Sequence, residues 1–187
     1  MHATVELDAP TYAYAIPASR PTRPCPQEKP MPGTSALLPT ADRDVVGAAL
    51  QETLVDLLHL AATAKQAHWN LYGPRFRSVH LQLDEIVETA RTFADTVAER
   101  AATIGVAPDG RPAATAKAGS SADVPAGPLS DTVVVATFTT AVADLSVRMR
   151  RRIADTDGLD AVSQDLLIET TAALEKHHWM LRAENTP

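Results

Sequence analysis

The sequence predicts an all-α protein: a four-helix bundle with a short extra helix in one long crossover, preceded by a Pro-rich N-terminal tail. Three observations carry this. Apolar residues recur at the helical period through four segments, Gly or Pro punctuates the joints between them, and no strand-like run is long enough to build a sheet. At 187 residues the chain suits one domain with a sizeable core rather than two. Residues 1–41 read as the tail and 42–184 as the bundle.

Eight of the fourteen prolines fall within residues 1–40, spaced so that neither a helix nor a central strand continues through them. This segment is expected to be extended or disordered, with Val5, Leu7, Tyr12, Tyr14 and Ile16 available to a neighbouring surface. The first helix is expected to start at Asp42 or Asp44, either of which can cap it, and to run through Val46, Leu50, Leu54, Leu57, Leu58 and Ala61 to Asn70. Tyr72-Gly73-Pro74 ends it. A second helix follows from about Arg75 to Ile104, with Val79, Leu83, Ile86, Val87, Phe93 and Val97 on its apolar side and Gly105 as its stop.

The stretch from Val106 to Pro128 is rich in Ala, Gly, Ser and Pro. Within it Pro112–Ala118 favours a short helix, because Pro suits the first position and Ala and Lys propagate it. Ser130 or Asp131 starts a third helix that reaches about Asp155 on Val135, Phe138, Ala141, Val142 and Leu145. Its opening run, Thr132–Val135, is β-branched but too short and isolated for a sheet. After Gly158 a fourth helix runs from about Leu159 to Ala183 through Val162, Leu166, Leu167, Leu174 and Trp179. The result is two hairpins joined by one longer crossover.

A formal charge of -6 argues against a generally basic nucleic-acid binder. The tail is no basic arm either: through residue 42, Arg20, Arg23 and Lys29 are outnumbered by Glu6, Asp8, Glu28 and Asp42. No apolar run approaches the roughly 18 residues of a membrane span, and the N-terminus lacks a basic-then-apolar signal pattern. The expectation is therefore a cytoplasmic location with no membrane partner. The single cysteine, Cys25, has no intrachain partner and lies outside any core pattern.

Five residues between Lys65 and Arg100 are of the kind that iron, manganese or zinc accept: His68, His80, Asp84, Asp95 and Glu99. With about 100° per residue and His80 as zero, Asp84 falls at about 40°, Asp95 at about 60° and Glu99 at about 100°, one narrow stripe. Along the axis, however, Asp84 and Asp95 stand roughly 16 Å apart, so one metal site cannot hold both. Either the stripe is an ordinary polar face, or it holds two half-sites, His80/Asp84 and Asp95/Glu99, each needing partners from elsewhere. A second copy packed antiparallel about a two-fold axis would bring Asp95 and Glu99 of one chain beside His80 and Asp84 of the other. His68, just before the Gly73-Pro74 turn, is placed for a hairpin to fold it toward His80.

Taken together, Lys65-Gln66-Ala67-His68-Trp69-Asn70, Gly73-Pro74, His80-(three residues)-Asp84-Glu85 and Asp95-(three residues)-Glu99-Arg100 resemble the signature of the Dps family, a branch of the ferritin-like superfamily. Glu175-Lys176-His177-His178-Trp179-Met180-Leu181 is similar to that family's last helix. The resemblance covers about residues 43–184 and leaves the tail unexplained. It implies a ferritin-like bundle assembled from two-fold dimers into a hollow homo-dodecamer that oxidises Fe(II), preferably with hydrogen peroxide, and stores the ferric mineral. It also implies a ferroxidase centre at the dimer interface, with His68, His80 and Asp84 from one subunit and Asp95 and Glu99 from its mate. Trp69 matches a tryptophan beside the family's iron site, where it can give up an electron. Asp160 and Asp165 would line a three-fold pore admitting Fe(II), although aspartate near a helix start is equally expected from capping.

The ligand types suit that chemistry. Carboxylates bind both Fe(II) and the harder Fe(III), while the histidines anchor Fe(II). Two irons giving one electron each reduce peroxide to water without releasing a hydroxyl radical, so protection from oxidative damage would follow. Family members that coat DNA commonly use mobile Lys-rich tails, whereas this tail has one lysine, so weak or absent DNA binding is expected at physiological salt.

Two other readings compete. An architectural, nucleoid-associated DNA-binding protein with weak iron chemistry is disfavoured by the uncharged tail. An intrasubunit di-metal oxidase would need a second Glu-x-x-His beside Glu175-Lys176-His177-His178, and none is present, so a structural role is expected for His177 and His178. Arg148, Arg150, Arg151 and Arg152 are expected to be solvated and to complement the helix dipole, with Asp155 and Asp157 as neighbours.

Overall fold

A computed structural model describes residues 37–117 and 124–184. The expected tail through residue 36, with Cys25, lies outside the described residues. In chain order the elements are α1 (Thr40–Asn70), β1 (Leu71–Tyr72), α2 (Phe76–Thr103), α3 (Pro112–Lys117), β2 (Leu129–Ser130), α4 (Asp131–Asp155) and α5 (Ala161–Glu184). α1 folds back on α2 and α4 on α5, and the two hairpins pack side by side, α1 meeting α4 and α2 meeting α5. This is the expected four-helix bundle, with the short α3 in its long crossover.

The helix ends show which local signals acted. α1 starts at Thr40, inside the segment assigned to the tail, and neither Asp42 nor Asp44 caps it. Instead the Pro39 carbonyl accepts the Arg43 N–H at 2.9 Å, and proline suits this entry because it brings no N–H of its own to satisfy. At the other end of the hairpin Gly105, with φ of 85°, stops α2 as expected. Its N–H donates to the Ala102 carbonyl and that of Val106 to the Ala101 carbonyl, the paired closure that a left-handed residue permits. α4 opens on Ser130, whose hydroxyl oxygen accepts the Val133 N–H.

α5 begins at Ala161, two residues later than expected, because Asp160 caps it. The Asp160 carboxylate accepts the Ser163 N–H at 3.2 Å and the Ser163 hydroxyl, and Arg100 reaches it from α2 at 2.6 Å. Burial alone would raise the pKa of Asp160, but Ser163 and Arg100 together hold it below the ordinary carboxylate value.

The core is built on stripes. Leu50, Leu57 and Ala64 of α1 are wholly buried, as are Val79, Leu83, Ala90 and Val97 of α2. Val135, Phe138, Val142, Leu145 and Met149 of α4 and Leu167 and Leu181 of α5 complete it. Removing a side chain of this size from water contributes about 1.5–3 kcal/mol. Two expected core residues are not there: Val162 and Trp179 are 61% and 67% exposed. Each lies five positions from a core leucine, Leu167 or Leu174, and five helical steps turn a side chain about 140° away.

The arginine cluster also differs from expectation. Arg148 and Arg152, four apart, share one face of α4 and turn inward to Asp56 of α1, with contacts of 3.1 and 2.6 Å. Arg152 and Asp56 are both buried, and Arg152 also reaches Glu52 at 3.2 Å. Arg150 pairs with Glu175 of α5 at 2.6 Å, so three of the four cations tie helices together rather than serve the dipole.

α1 and α4 are long and apolar enough, by length and composition, to cross a membrane; in the bundle about half of each apolar stretch is buried. Core helices of this kind meet the same hydropathy test as spans.

One small device joins the turn after α1 to the start of α4. β1 and β2 pair in parallel, Leu71 opposite Leu129 and Tyr72 opposite Ser130. Two residues per strand are below what a periodic pattern can announce, which is why the pairing escaped sequence reading. Beside it the buried Asp131 carboxylate accepts the Arg75 backbone N–H at 2.7 Å, a bond that lowers its pKa, and Arg75 in turn donates to the Glu184 carbonyl. Gly73 passes so close that an added Cβ would lie 2.6 Å from Asp131 Cγ, at a φ of 134° that side chains resist. This junction sets where α2 begins relative to the end of α1, and so brings His80 opposite His68.

Candidate metal centre

The α1–α2 hairpin brings three of the five expected ligands together. Ligand atoms of His68, His80 and Asp84 all lie within 4.8 Å of one another, and no other group of three or more His, Cys, Asp or Glu converges this way among the described residues. His68 is buried near the end of α1; His80 and Asp84 sit one turn apart on α2 and are partly open.

Backbone bonds orient both rings. His68 Nδ1 lies 3.2 Å from the His80 carbonyl oxygen, and His80 Nδ1 lies 3.2 Å from the His68 carbonyl oxygen. A carbonyl can only accept, so in the neutral ring each Nδ1 carries the hydrogen and each Nε2 keeps its lone pair. That tautomer leaves each Nε2 a lone pair able to coordinate, which in His68 faces the Lys65 ammonium, and the bond on the opposite nitrogen fixes ring orientation as in many metal-bound histidines. The rings stack with centroids 3.6 Å apart, and Phe76 covers the outer side of His80 at 4.9 Å.

The carboxylate is set by a cation. Lys65 Nζ lies 2.6 Å from Asp84 Oδ1, and that hydrogen bond is the main reason the Asp84 pKa is lowered, with His68, the Lys65 charge and His80 adding to it against a desolvation penalty. Asp84 Oδ1 is also 3.3 Å from His68 Nδ1. A positive group thus rests between the carboxylate and an imidazole. Two nitrogens and one oxygen are ligands that first-row divalent ions accept.

The remaining expected site residues are placed but not gathered. Asp95 and Glu99 are exposed further along the unbroken α2, outside the cluster, as their axial separation requires. Trp69 follows His68 and is 69% exposed. Asp165 is exposed on α5, whereas the Asp160 carboxylate is committed to its cap and to Arg100 rather than standing free toward a pore. Sequence reasoning gave no role to Lys65 or Phe76. Lys65 precedes His68 by three, a spacing that puts both on one helix face and could have found it.

The other histidine pattern does not converge. His177 is buried at the α2–α5 seam, its Nε2 lying 2.9 Å from Thr89 Oγ1, and Glu175 is held by Arg150. Burial lowers the His177 pKa, opposed by nearby Glu85 and assisted by Lys176.

Comparison with known proteins agrees with this architecture. A profile of the ferritin-like domain matches residues 47–186. DNA protection during starvation protein 2 of Deinococcus radiodurans is 36% identical over 141 residues, covering 74% of this chain and 58% of the relative, so this chain spans little more than half of that protein. A DNA protection during starvation protein of Mycolicibacterium smegmatis is 38% identical over 134 residues, 72% of this chain and 73% of its own. The crystal structure of Dps92 from Deinococcus radiodurans superposes with a TM-score of 0.76 at 35% identity, covering 79% of this chain and 91% of that one. With a matching profile over most of its length, relatives of this identity and the same bundle, the chain belongs to the Dps branch of the ferritin-like family.

Proposed function

We propose that the protein is an iron-storage ferroxidase of the Dps type, protecting the cell against oxidative damage. The observation that carries the reading is the preset cluster of His68, His80 and Asp84, with both imidazoles oriented by reciprocal backbone bonds. Iron is the substrate. Two Fe(II) ions each give one electron to hydrogen peroxide, its O–O bond breaks, two protons are taken up and two waters leave, with ferric ion retained as mineral.

Three donors are few for a pair of ions whose charge rises on oxidation. Asp95 and Glu99, exposed on the same helix, are the donors a two-fold mate would supply, and Trp69, next to His68 in the chain, and Phe76, stacked on His80, are exposed apolar side chains that such a mate would cover. A homo-dodecamer built from these dimers would provide the storage cavity. Trp69 would then serve as an electron donor, and the exposed Asp165 would line an iron-admitting pore. The location that fits is the cytoplasm, with weak DNA binding that a gel shift across a salt series would check; tight binding above about 150 mM salt would favour the nucleoid-architectural reading instead.

The deciding experiment loads the protein with Fe(II) without oxygen and titrates hydrogen peroxide while following ferric absorbance, for wild type and Asp95→Asn. An end point of two irons per peroxide with much slower oxidation in the variant supports an intersubunit site. Rates equal to free iron in both would remove the ferroxidase reading.

A further inference from the structure

Lys65 holds a position that its charge alone does not explain. Its ammonium donates to Asp84 Oδ1 at 2.6 Å and lies 3.3 Å from His68 Nε2. An ammonium has three hydrogens and no lone pair, so His68 Nε2 must be the acceptor. This agrees with the tautomer that the His80 carbonyl imposes on the other nitrogen. A lysine present only to pair with a carboxylate would have no need of the imidazole. Lys65 instead engages the same carboxylate oxygen and the same nitrogen lone pair that a metal ion would use. Its side chain is 27% exposed in the single chain, so it is not locked into the core.

We infer that Lys65 is the resident counter-cation of the half-site and that metal loading exchanges the lysine ammonium for the incoming ion. The inference rests on the metal reading of the cluster. Before loading, Lys65 balances Asp84 and keeps the His68 lone pair aimed into the seat. During loading its two bonds are lost and its head group returns to water. Every ion meets the same displacement penalty, so the lysine sets a threshold of affinity rather than a preference among metals.

The test titrates Co(II) into the full-length protein, followed by calorimetry and by cobalt ligand-field absorption, for wild type, Lys65→Met, Lys65→Arg and His80→Ala. Each is measured at low salt and at about 1 M salt, where the screening length is only about 3 Å. Lys65→Met keeps the length of the side chain without its charge and should bind Co(II) about five- to tenfold tighter at both salts. Lys65→Arg should stay within about twofold of wild type, since a cation still reaches the seat.

Unchanged or weaker binding in Lys65→Met, with His80→Ala still impaired, would overturn the exchange while leaving the metal site standing. A gain that vanishes at about 1 M salt would overturn it too, because simple repulsion through solvent then accounts for the effect. An arginine variant as tight as the methionine variant would show that the seated cation is irrelevant. If His80→Ala matches wild type throughout, the metal reading itself fails and the exchange with it.

Discussion

The two helical hairpins carry similar ingredients and use them differently. α1–α2 holds His68, His80 and Asp84, and α4–α5 holds Glu175, His177 and His178. In the first, the backbone satisfies one nitrogen of each ring, and the carboxylate and the other His68 nitrogen converge on one small, half-exposed cation, Lys65. In the second, Thr89 occupies His177 and Arg150 occupies Glu175. Histidine and carboxylate at helical spacing therefore do not make a site. What sets the first apart is convergence: three donors from two helices face one another, whereas His177 and Glu175 are engaged by separate partners.

The largest effect that would break the comparison lies where the hairpins meet. Asp56→Ala takes the buried carboxylate from Arg152 and Arg148, leaving Arg152 only the exposed Glu52, and is expected to cost about 3–5 kcal/mol in chemical denaturation. Lys65→Met, which removes the half-exposed pair in the first hairpin, is expected to cost under about 1 kcal/mol in the same assay. Equal losses would mean that the α1–α4 network is not the joint it is taken for.

Metal affinity should separate the hairpins next. His80→Ala is expected to weaken Co(II) binding by about a hundredfold or more, and His178→Ala to leave it unchanged, in parallel titrations. Loss in both would place the second hairpin in the site after all.

Acid provides the smallest and most graded contrast. Burial lowers the folded pKa of His177, so its neutral form is the one the fold prefers. The stability tied to it is complete above the ordinary histidine value of about 6.5 and falls as pH drops below that. Asp84 is also lowered, by Lys65, but from the carboxylate range, so its share is present above about pH 4 and is lost only as pH falls through its depressed value. Denaturation midpoints against pH should therefore begin to decline near 6.5 in wild type, and His177→Gln should flatten that first decline while Asp84→Asn leaves it in place. A decline unaffected by His177→Gln would assign it to another group.

Much of this was legible residue by residue. The stop at Gly105, the short helix from Pro112, the Ser130 cap and most core positions follow from turn chemistry and the helical period, both of which act within a few residues. The five ligand types, and the need to split them between two sites, follow from the same period and the rise along α2. Trp179 and Val162 show where this ends: each looked apolar enough for a core, but only the orientation of α5 against its neighbours decides which stripe faces inward. The arginines of α4 show it again, since no local signal tells Arg152 that Asp56 waits 96 residues earlier.

By itself, then, the sequence determined that the chain is helical, where most helices stop, and which side chains of α2 share a face. Each is a local consequence of backbone geometry at about 100° and 1.5 Å per residue. Tertiary structure alone decided that His68 meets His80 across the hairpin, that Lys65 sits between Asp84 and His68, and that Asp160 is spent on Arg100. Those pairings depend on how far and at what angle two helices approach, quantities set by the β1–β2 pairing, the Gly73–Asp131 contact and the whole core, and written in no single stretch of the chain.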